Sequence, residues 1–281
     1  MTEIIRTHEH LRHLVDQWHQ DGESVGLVPT MGALHDGHIS LVDRAVEDAD
    51  RVIVSIFVNP AQFAAHEDFG RYPRHEESDL EALSYTPVAA VYAPEASEIY
   101  GPDFATTVSM QGPAKAGLED KVRPHFFDGV ATVVAKLFAQ SRADMAYFGE
   151  KDYQQLLVVR RMAEDLDLGT RVIGVPTLRD DDGMAMSSRN RYLTKHERHQ
   201  APAIHKTLVQ AAEKIRAGNP VQTATRMAAR SLTTLGFKVD YFTARNAQTL
   251  AVPQSTDEPL RLLCAATLGQ TRLIDNCAVD T

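Results

Sequence analysis

Cysteine is nearly absent from these 281 residues, with Cys264 and Cys277 the two present. They form neither a metal-ligand spacing nor a disulfide framework, which excludes a small cross-linked scaffold and fits a reducing compartment, a bridge between the two being left open. Long apolar runs are missing as well. No stretch reaches the ~18 residues of a membrane helix, and the chain opens Met1-Thr2-Glu3-Ile4-Ile5-Arg6 into a polar, His-rich segment without a signal-peptide core. Positive charge is in deficit: 29 Lys and Arg stand against 38 Asp and Glu, a net charge of −9, which argues against a nucleic-acid or anionic-membrane partner. Any anionic ligand must be held by local design. Internal repeats, low-complexity tracts and long linkers are also lacking. What remains is ordinary globular composition, 43% hydrophobic and 24% charged. At ~150 residues per domain the length fits about two domains, and the expected location is the cytoplasm.

Short β-branched runs at 25–28, 52–58, 89–92, 145–148 and 172–175 are each followed by a segment of helical period, the alternation of a parallel sheet covered by helices. Between the first two, Leu41, Val42, Ala45, Val46 and Ala49 recur at three- and four-residue intervals, so that 38–48 reads as the helix of a βαβ unit. Residues 129–139 and 153–166 read as further helices. After Pro176 the pattern changes. A polar turn, Arg179-Asp180-Asp181-Asp182-Gly183, leads to Met186-Ser187-Ser188-Arg189, then to helical stretches at 195–217 and 221–235 and strand-like runs at 238–242, 260–266 and 271–274. The expected fold class is therefore α/β: a Rossmann-like parallel-sheet N-terminal domain, 1–176, and a smaller α+β C-terminal domain, 177–281, closing a cleft as the default ligand site.

In open α/β sheets ligands sit beyond the carboxyl ends of the strands, and here the segments after the strands are rich in polar groups. His35-Asp36-Gly37-His38 follows the first strand and opens a helix. Gly37 would let a phosphate approach the backbone at a helix N-terminus, and two imidazoles three residues apart can donate to phosphoryl oxygens as charge spreads. The competing reading is two solvent-facing histidines among twelve. A zinc pair would want i, i+4 spacing and a third ligand, and neither is evident. Lys151, past the fourth strand, could place a point charge on a phosphate or a carboxylate, and Asp152 could cap a helix or hold a ribose hydroxyl. Ser187, Ser188 and Arg189 offer hydroxyls and a guanidinium for a phosphate clamp. Met31 and Met186 could cover a base. Asn59, Gln62 and Gln155 could orient a small polar substrate by neutral hydrogen bonds. Tyr72 and Tyr153 read as packing, and Glu119, Lys121 and Arg123 as charges of a mobile loop.

Four stretches stand in one order: Val28-Pro29-Thr30-Met31-Gly32-Ala33-Leu34-His35-Asp36-Gly37-His38, Ser55-Ile56-Phe57-Val58-Asn59-Pro60-Ala61-Gln62-Phe63, Phe148-Gly149-Glu150-Lys151-Asp152-Tyr153-Gln154-Gln155 and Met186-Ser187-Ser188-Arg189-Asn190-Arg191-Tyr192-Leu193. Together they resemble the pantothenate synthetase family, the pantoate–β-alanine ligases, and the resemblance runs through Arg272-Leu273-Ile274-Asp275-Asn276. His-x-Gly-His alone marks only a nucleotidyl-transferase superfamily. The resemblance implies ATP-dependent condensation of pantoate with β-alanine through pantoyl adenylate, releasing pyrophosphate and then AMP, with Mg2+ required, in a homodimer. At the matching positions it implies His35, His38 and Lys151 as catalytic. ATP would be held by Pro29, Met31, Gly37, His38, Gly149, Lys151, Asp152, Leu178, Met186, Ser187, Ser188 and Arg189, and pantoate by Gln62 and Gln155. It names no metal ligand. Where many members read Arg-Pro-Gly-His-Phe this chain has Arg123-Pro124-His125-Phe126-Phe127, followed by Asp128, so no role passes to Arg123 or His125. Two other readings stay open: a simple nucleotidylyltransferase acting on a phosphate acceptor, and a module that binds adenine nucleotide without turnover.

Overall fold

The computed structural model describes residues 2–63, 68–255 and 257–279. Contacts divide the chain into two compact units: residues 1–150 with 154–176, and residues 151–153 with 177–281. Lys151–Tyr153, set by the sequence expectation in the first domain, thus groups with the second unit.

In the first unit β1 (Glu3–Ile5), β2 (Val25–Thr30), β3 (Arg51–Ile56), β4 (Ala90–Tyr92), β5 (Met145–Gly149) and β6 (Arg171–Val175) form one parallel sheet in the order β1-β4-β3-β2-β5-β6. The strands read as continuous apolar runs because helices cover both faces of such a sheet. Its helices are α1 (His8–Gln20), α2 (Asp36–Asp48), α3 (Glu76–Ser84), α4 (Ala96–Ile99), α5 (Glu119–Val122), α6 (Phe126–Ser141) and α7 (Tyr153–Asp165). On α2, Leu41, Val42 and Ala45 are buried in a cluster with Val28, Val54 and Tyr147 of the sheet. α6 extends the expected 129–139 helix by a turn at its start and buries residues on every side, the mark of a helix inside the fold rather than upon it. The polar N-terminal segment is the helix α1, held by the Thr7 cap and buried through Leu11, Val15 and Trp18. From β2 the chain steps to β3 and β4 on one side, then returns to β5 and β6 on the other. The order reverses at β2/β5, where the loops leaving the strand ends diverge and leave room for a ligand.

In the second unit β7 (Lys238–Asn246), β8 (Leu260–Leu268) and β9 (Thr271–Val279) form an antiparallel sheet in that order. Leu262, Cys264 and Ala266 of β8 share a core with Leu208 and Ala212 of α9 (Ala203–Arg216) and with Ala224 and Leu232 of α10 (Val221–Thr234). The expected helix 195–217 is two helices, α8 (Lys195–Gln200) and α9, because Pro202 lacks the N–H that a continuous helix would use and its ring crowds the preceding turn. Both cysteines are free thiols. Cys264 lies opposite Asp275 and Cys277 opposite Leu262, so their pairing positions are offset along the ladder. Burial pushes the Cys277 thiol up to about 11 and that of Cys264 further still, which leaves neither a ready nucleophile.

Candidate active site

The helix that follows β2 is closed by its own histidines. His35 is the N-cap, and its Nδ1 accepts from the backbone N–H of Gly37 at 3.1 Å. Nδ1 of His38 accepts in turn from the backbone N–H of His35 at 3.3 Å, a reciprocal capping box built from two imidazoles. Because each Nδ1 accepts from an amide, the neutral tautomer carries its proton on Nε2, the nitrogen on the far side of each ring. The rings lie 4.1 Å apart between centroids and are half-buried. The Gly37 N–H is engaged by His35, so what Gly37 itself has to offer a ligand is close backbone approach.

The turn leading into this helix is strained and buttressed. Gly32 and Ala33 both have positive φ, 76° and 52°. For Ala33 that conformation costs ~1–2 kcal/mol. Asp79, from α3 and 3% exposed, offsets it by accepting from the backbone N–H of Ala33 at 2.9 Å and of Leu34 at 2.8 Å. A Cβ on Gly32 would come within 2.7 Å of the same carboxylate. Nothing in the sequence singles out Asp79 from the other acids of α3.

After β3 the backbone makes a short 3-10 turn, Pro60–Gln62, capped by Asn59. Asn59 is 1% exposed, and each of its amide positions is taken. Its Oδ1 accepts from Tyr100 Oη at 2.7 Å and from the Ala61 N–H at 3.2 Å, while Nδ2 donates to Gln62 Oε1 and to the Gly129 carbonyl, both at 3.1 Å. An amide with two donors and two acceptor positions so filled has nothing left for a substrate, so Asn59 positions Gln62 and does not itself orient a ligand. Burial pushes the Tyr100 hydroxyl up to about 12, keeping it a neutral donor. Gln62 Nε2 lies 2.9 Å from Met31 Sδ, which links the turn after β3 to the loop after β2. α6 meets this turn so closely that a Cβ on Gly129 would stand 2.3 Å from the Ala61 carbonyl oxygen.

Beyond β5, Gly149 is half-buried, and a Cβ there would meet nothing within 4 Å. On α7 the two neighbouring glutamines differ. Gln154 is 4% exposed and fully engaged with the preceding loop: its Oε1 accepts from the Glu119 N–H at 3.0 Å, and Nε2 donates to the Pro113 carbonyl at 2.8 Å and to Asp120 at 3.0 Å. Gln155 is half-buried. Of the charges expected on a mobile loop there, Glu119 is 5% exposed and pairs with Arg123 at 2.8 Å, while Lys121 is exposed. Tyr72 is buried, and Tyr153 donates to the Ala247 carbonyl at 2.8 Å, as packing residues do.

In the second unit Lys151 is mostly buried, its Nζ 3.4 Å from Asp152 Oδ2. Asp152 belongs to a 3-10 turn, Glu150–Asp152, that precedes α7. Residues 178–186 form a tight hairpin: Met186 donates its N–H to the Leu178 carbonyl at 3.0 Å, and Arg179 and Ala185 are bridged. Leu178 is 38% exposed. Ser187 caps the next 3-10 turn, Ser188–Tyr192, by accepting from the Arg189 N–H at 3.3 Å. Ser187, Ser188 and Arg189 are half-buried. Among the described residues no group of three or more His, Cys, Asp or Glu is placed to hold a metal ion.

A parallel sheet with paired histidines capping the helix at its strand-order reversal defines an α/β enzyme of the His-x-Gly-His class. Residues 3–278 match the Pantoate-beta-alanine ligase family, and the chain belongs to that family. Pantothenate synthetases of Nitrobacter hamburgensis and of Rhodopseudomonas palustris strain BisB18 are 53% and 54% identical to it over 277 residues, 98% of each chain. The crystal structure of the Thermus thermophilus pantothenate synthetase superposes with a TM-score of 0.93 at 42% identity, covering 100% of both chains. A Francisella tularensis pantoate-beta-alanine ligase, complexed with beta-gamma ATP and beta-alanine, superposes at 0.83 with 31% identity, covering 100% of this chain and 99% of that one.

Proposed function

We propose that this chain condenses pantoate with β-alanine in two steps at the expense of ATP. A pantoate carboxylate oxygen attacks the α-phosphorus, the bond to the bridging oxygen breaks, and pyrophosphate leaves. The β-alanine amine then attacks the acyl carbon of pantoyl adenylate, the amide forms, AMP departs with the acyl oxygen, and the amine proton passes to solvent. Adenylation is needed because a carboxylate oxygen is a poor leaving group and a phosphate monoester is a good one.

The observation that carries this reading is the histidine capping box. It turns the protonated Nε2 of both rings away from the backbone, the arrangement needed to donate to oxygens on which transition-state charge grows. His35 and His38 are assigned to the α-phosphate. Lys151, Ser187, Ser188 and Arg189 are assigned to the phosphates. Gln62 retains one N–H and one acceptor position and, with Gln155, is assigned to pantoate. Pro29, Met31, Gly37, Gly149, Asp152, Leu178 and Met186 are assigned to the remainder of ATP.

Mg2+ enters as the companion of ATP. The donors after β2 and β3 are imidazoles and amides, and Asp79 is engaged by backbone, so the set does not fit a resident metal cage. It fits an ion that keeps waters and phosphate oxygens as ligands, as Mg2+ commonly does, and such an ion would neutralise phosphate charge. A cytoplasmic homodimer completes the proposal, and sedimentation equilibrium of the purified chain checks its dimeric part.

Exchange of labelled pyrophosphate into ATP tests the reaction. Exchange should require pantoate and proceed without β-alanine. A chain that exchanges with a phosphate acceptor instead is a simple nucleotidylyltransferase, and one that binds ATP with no exchange is a binding module.

A further inference from the structure

The last strand carries a dipeptide whose side chains part to opposite faces of the sheet. On β9, Asp275 shares a face with Leu273, Cys277 and Val279, which pack into or against the core beneath α9 and α10. A carboxylate at such a position, 5% exposed, is costly unless paired. Arg179 pairs it through two hydrogen bonds, at 2.7 and 2.9 Å, and also donates to the Gly183 carbonyl at 3.1 Å. Asn276, 3% exposed, points the other way. Its Oδ1 accepts from Arg261 Nε at 2.7 Å, and Nδ2 donates to the backbone carbonyl of Lys151 at 2.9 Å. Arg261 also lies 4.1 Å over the ring of Tyr153, so the segment 151–153 is gripped at both ends. The grip is itself anchored, because the Asn276 N–H donates to Asp275 Oδ1 at 2.8 Å and its carbonyl faces Arg179 at 3.4 Å.

We propose that Asn276, anchored by the Arg179–Asp275 pair, is a positioning residue for the reaction: by holding the Lys151 carbonyl it fixes where the Lys151 ammonium meets the phosphates of ATP. Lys151 follows a glycine-ended strand and lies in a short 3-10 turn that leads into α7. Asn276 adds a side-chain hydrogen bond to its carbonyl from a strand 125 positions away. A side chain whose root shifts by about 1 Å can lose on the order of 100-fold in rate.

The inference rests on the reading of Lys151 as a phosphate-binding residue, and a double-mutant cycle separates the two. Turnover with ATP is measured for the parent, Asn276→Asp, Lys151→Ala and the double variant, with thermal melting to follow folding. Asn276→Asp keeps the shape and the Arg261 contact but cannot donate to the Lys151 carbonyl. It should lower kcat/KM for ATP by about 10- to 100-fold while KM for pantoate stays near that of the parent. In the Lys151→Ala background it should cost little more, since its effect passes through the missing ammonium. Losses that multiply in the double variant, or an Asn276→Asp as active as the parent beside a crippled Lys151→Ala, overturn the positioning role alone. A silent Lys151→Ala overturns the reading of the lysine, and this inference with it. If Asn276→Asp fails to fold, the same cycle is read with Asn276→Ala, and failure of both to fold assigns Asn276 to the fold and overturns the proposal.

Discussion

The histidines after β2 and the lysine after β5 are fixed by opposite means. His35 and His38 lie three residues apart and hold each other through the backbone of one helical turn. Lys151 is held by Asn276, 125 positions further along the chain. A local device is complete once its turn has folded, whereas a long-range one depends on the whole C-terminal sheet. The histidine end should therefore answer to changes within its own turn, and the lysine end also to a change on the distant strand that holds it.

The largest expected effect tests the local device. Asparagine is a good N-cap and can accept the Gly37 N–H, so His35→Asn should keep the melting temperature near that of the parent. It should lower pantoate-dependent pyrophosphate exchange by ~100–1,000-fold, the usual cost of losing a transition-state donor. Normal exchange with lowered stability would make the capping box a folding device only.

Next in size is the contrast between charged and neutral contacts, read from steady-state titrations of both substrates. Lys151→Ala should raise KM for ATP by about 10-fold or more, as expected for a hydrogen bond to a charged group. Gln155→Ala should raise KM for pantoate by about 3- to 10-fold, as for a neutral one, and leave ATP unaffected. Equal effects of Gln155→Ala on both substrates would remove it from the pantoate pocket.

Two glycines sharpen the distinction between fold and ligand. Gly129→Ala drives a methyl against the Ala61 carbonyl and should cost ~1–3 kcal/mol in chemical denaturation. Gly149→Ala meets nothing and should melt like the parent, while weakening ATP by crowding its space. A loss of stability without a change in KM for ATP would place Gly149 in the fold alone.

The smallest effect concerns His205, on α9. Its buried Nδ1 lies 3.8 Å from Asp275, too far for a hydrogen bond, and burial, then Arg179, hold its pKa below the ordinary 6.5, against a weaker opposing pull from Asp275. Below about pH 6.5 the unfolded chain takes up a proton that the folded chain refuses, so this residue's contribution is full above that pH and is lost as pH falls toward the folded value. His205→Asn should flatten that part of the decline in denaturation experiments. An unchanged profile would show that His205 does not titrate differently on folding.

The same contrast explains what could be read in advance. The His-x-Gly-His helix was legible because its determinants are neighbours, and the parallel sheet because its apolar runs alternate with helical periods. β1 spans three residues, too few for a periodic signal. Leu11, Val15 and Trp18 of α1 do recur at helical spacing, but they stand among histidines and acids in a segment read only as polar and His-rich. Asn59 looked like a ligand residue because its partners Tyr100 and Gly129 are 41 and 70 positions away. Asp79 carried no signal of its own in the sequence, because the Ala33 and Leu34 amides it holds are 46 and 45 positions away. In each case the missing information was a contact between distant segments.

Isotope tracing through one turnover tests the central claim most directly. With pantoate labelled by oxygen-18 in its carboxylate, attack on the α-phosphorus and later loss of AMP must carry one labelled oxygen into AMP. AMP bearing one label per turnover, with none in pyrophosphate, is the predicted result. Unlabelled AMP, or label in any phosphate other than the α-phosphate, would contradict the adenylate route.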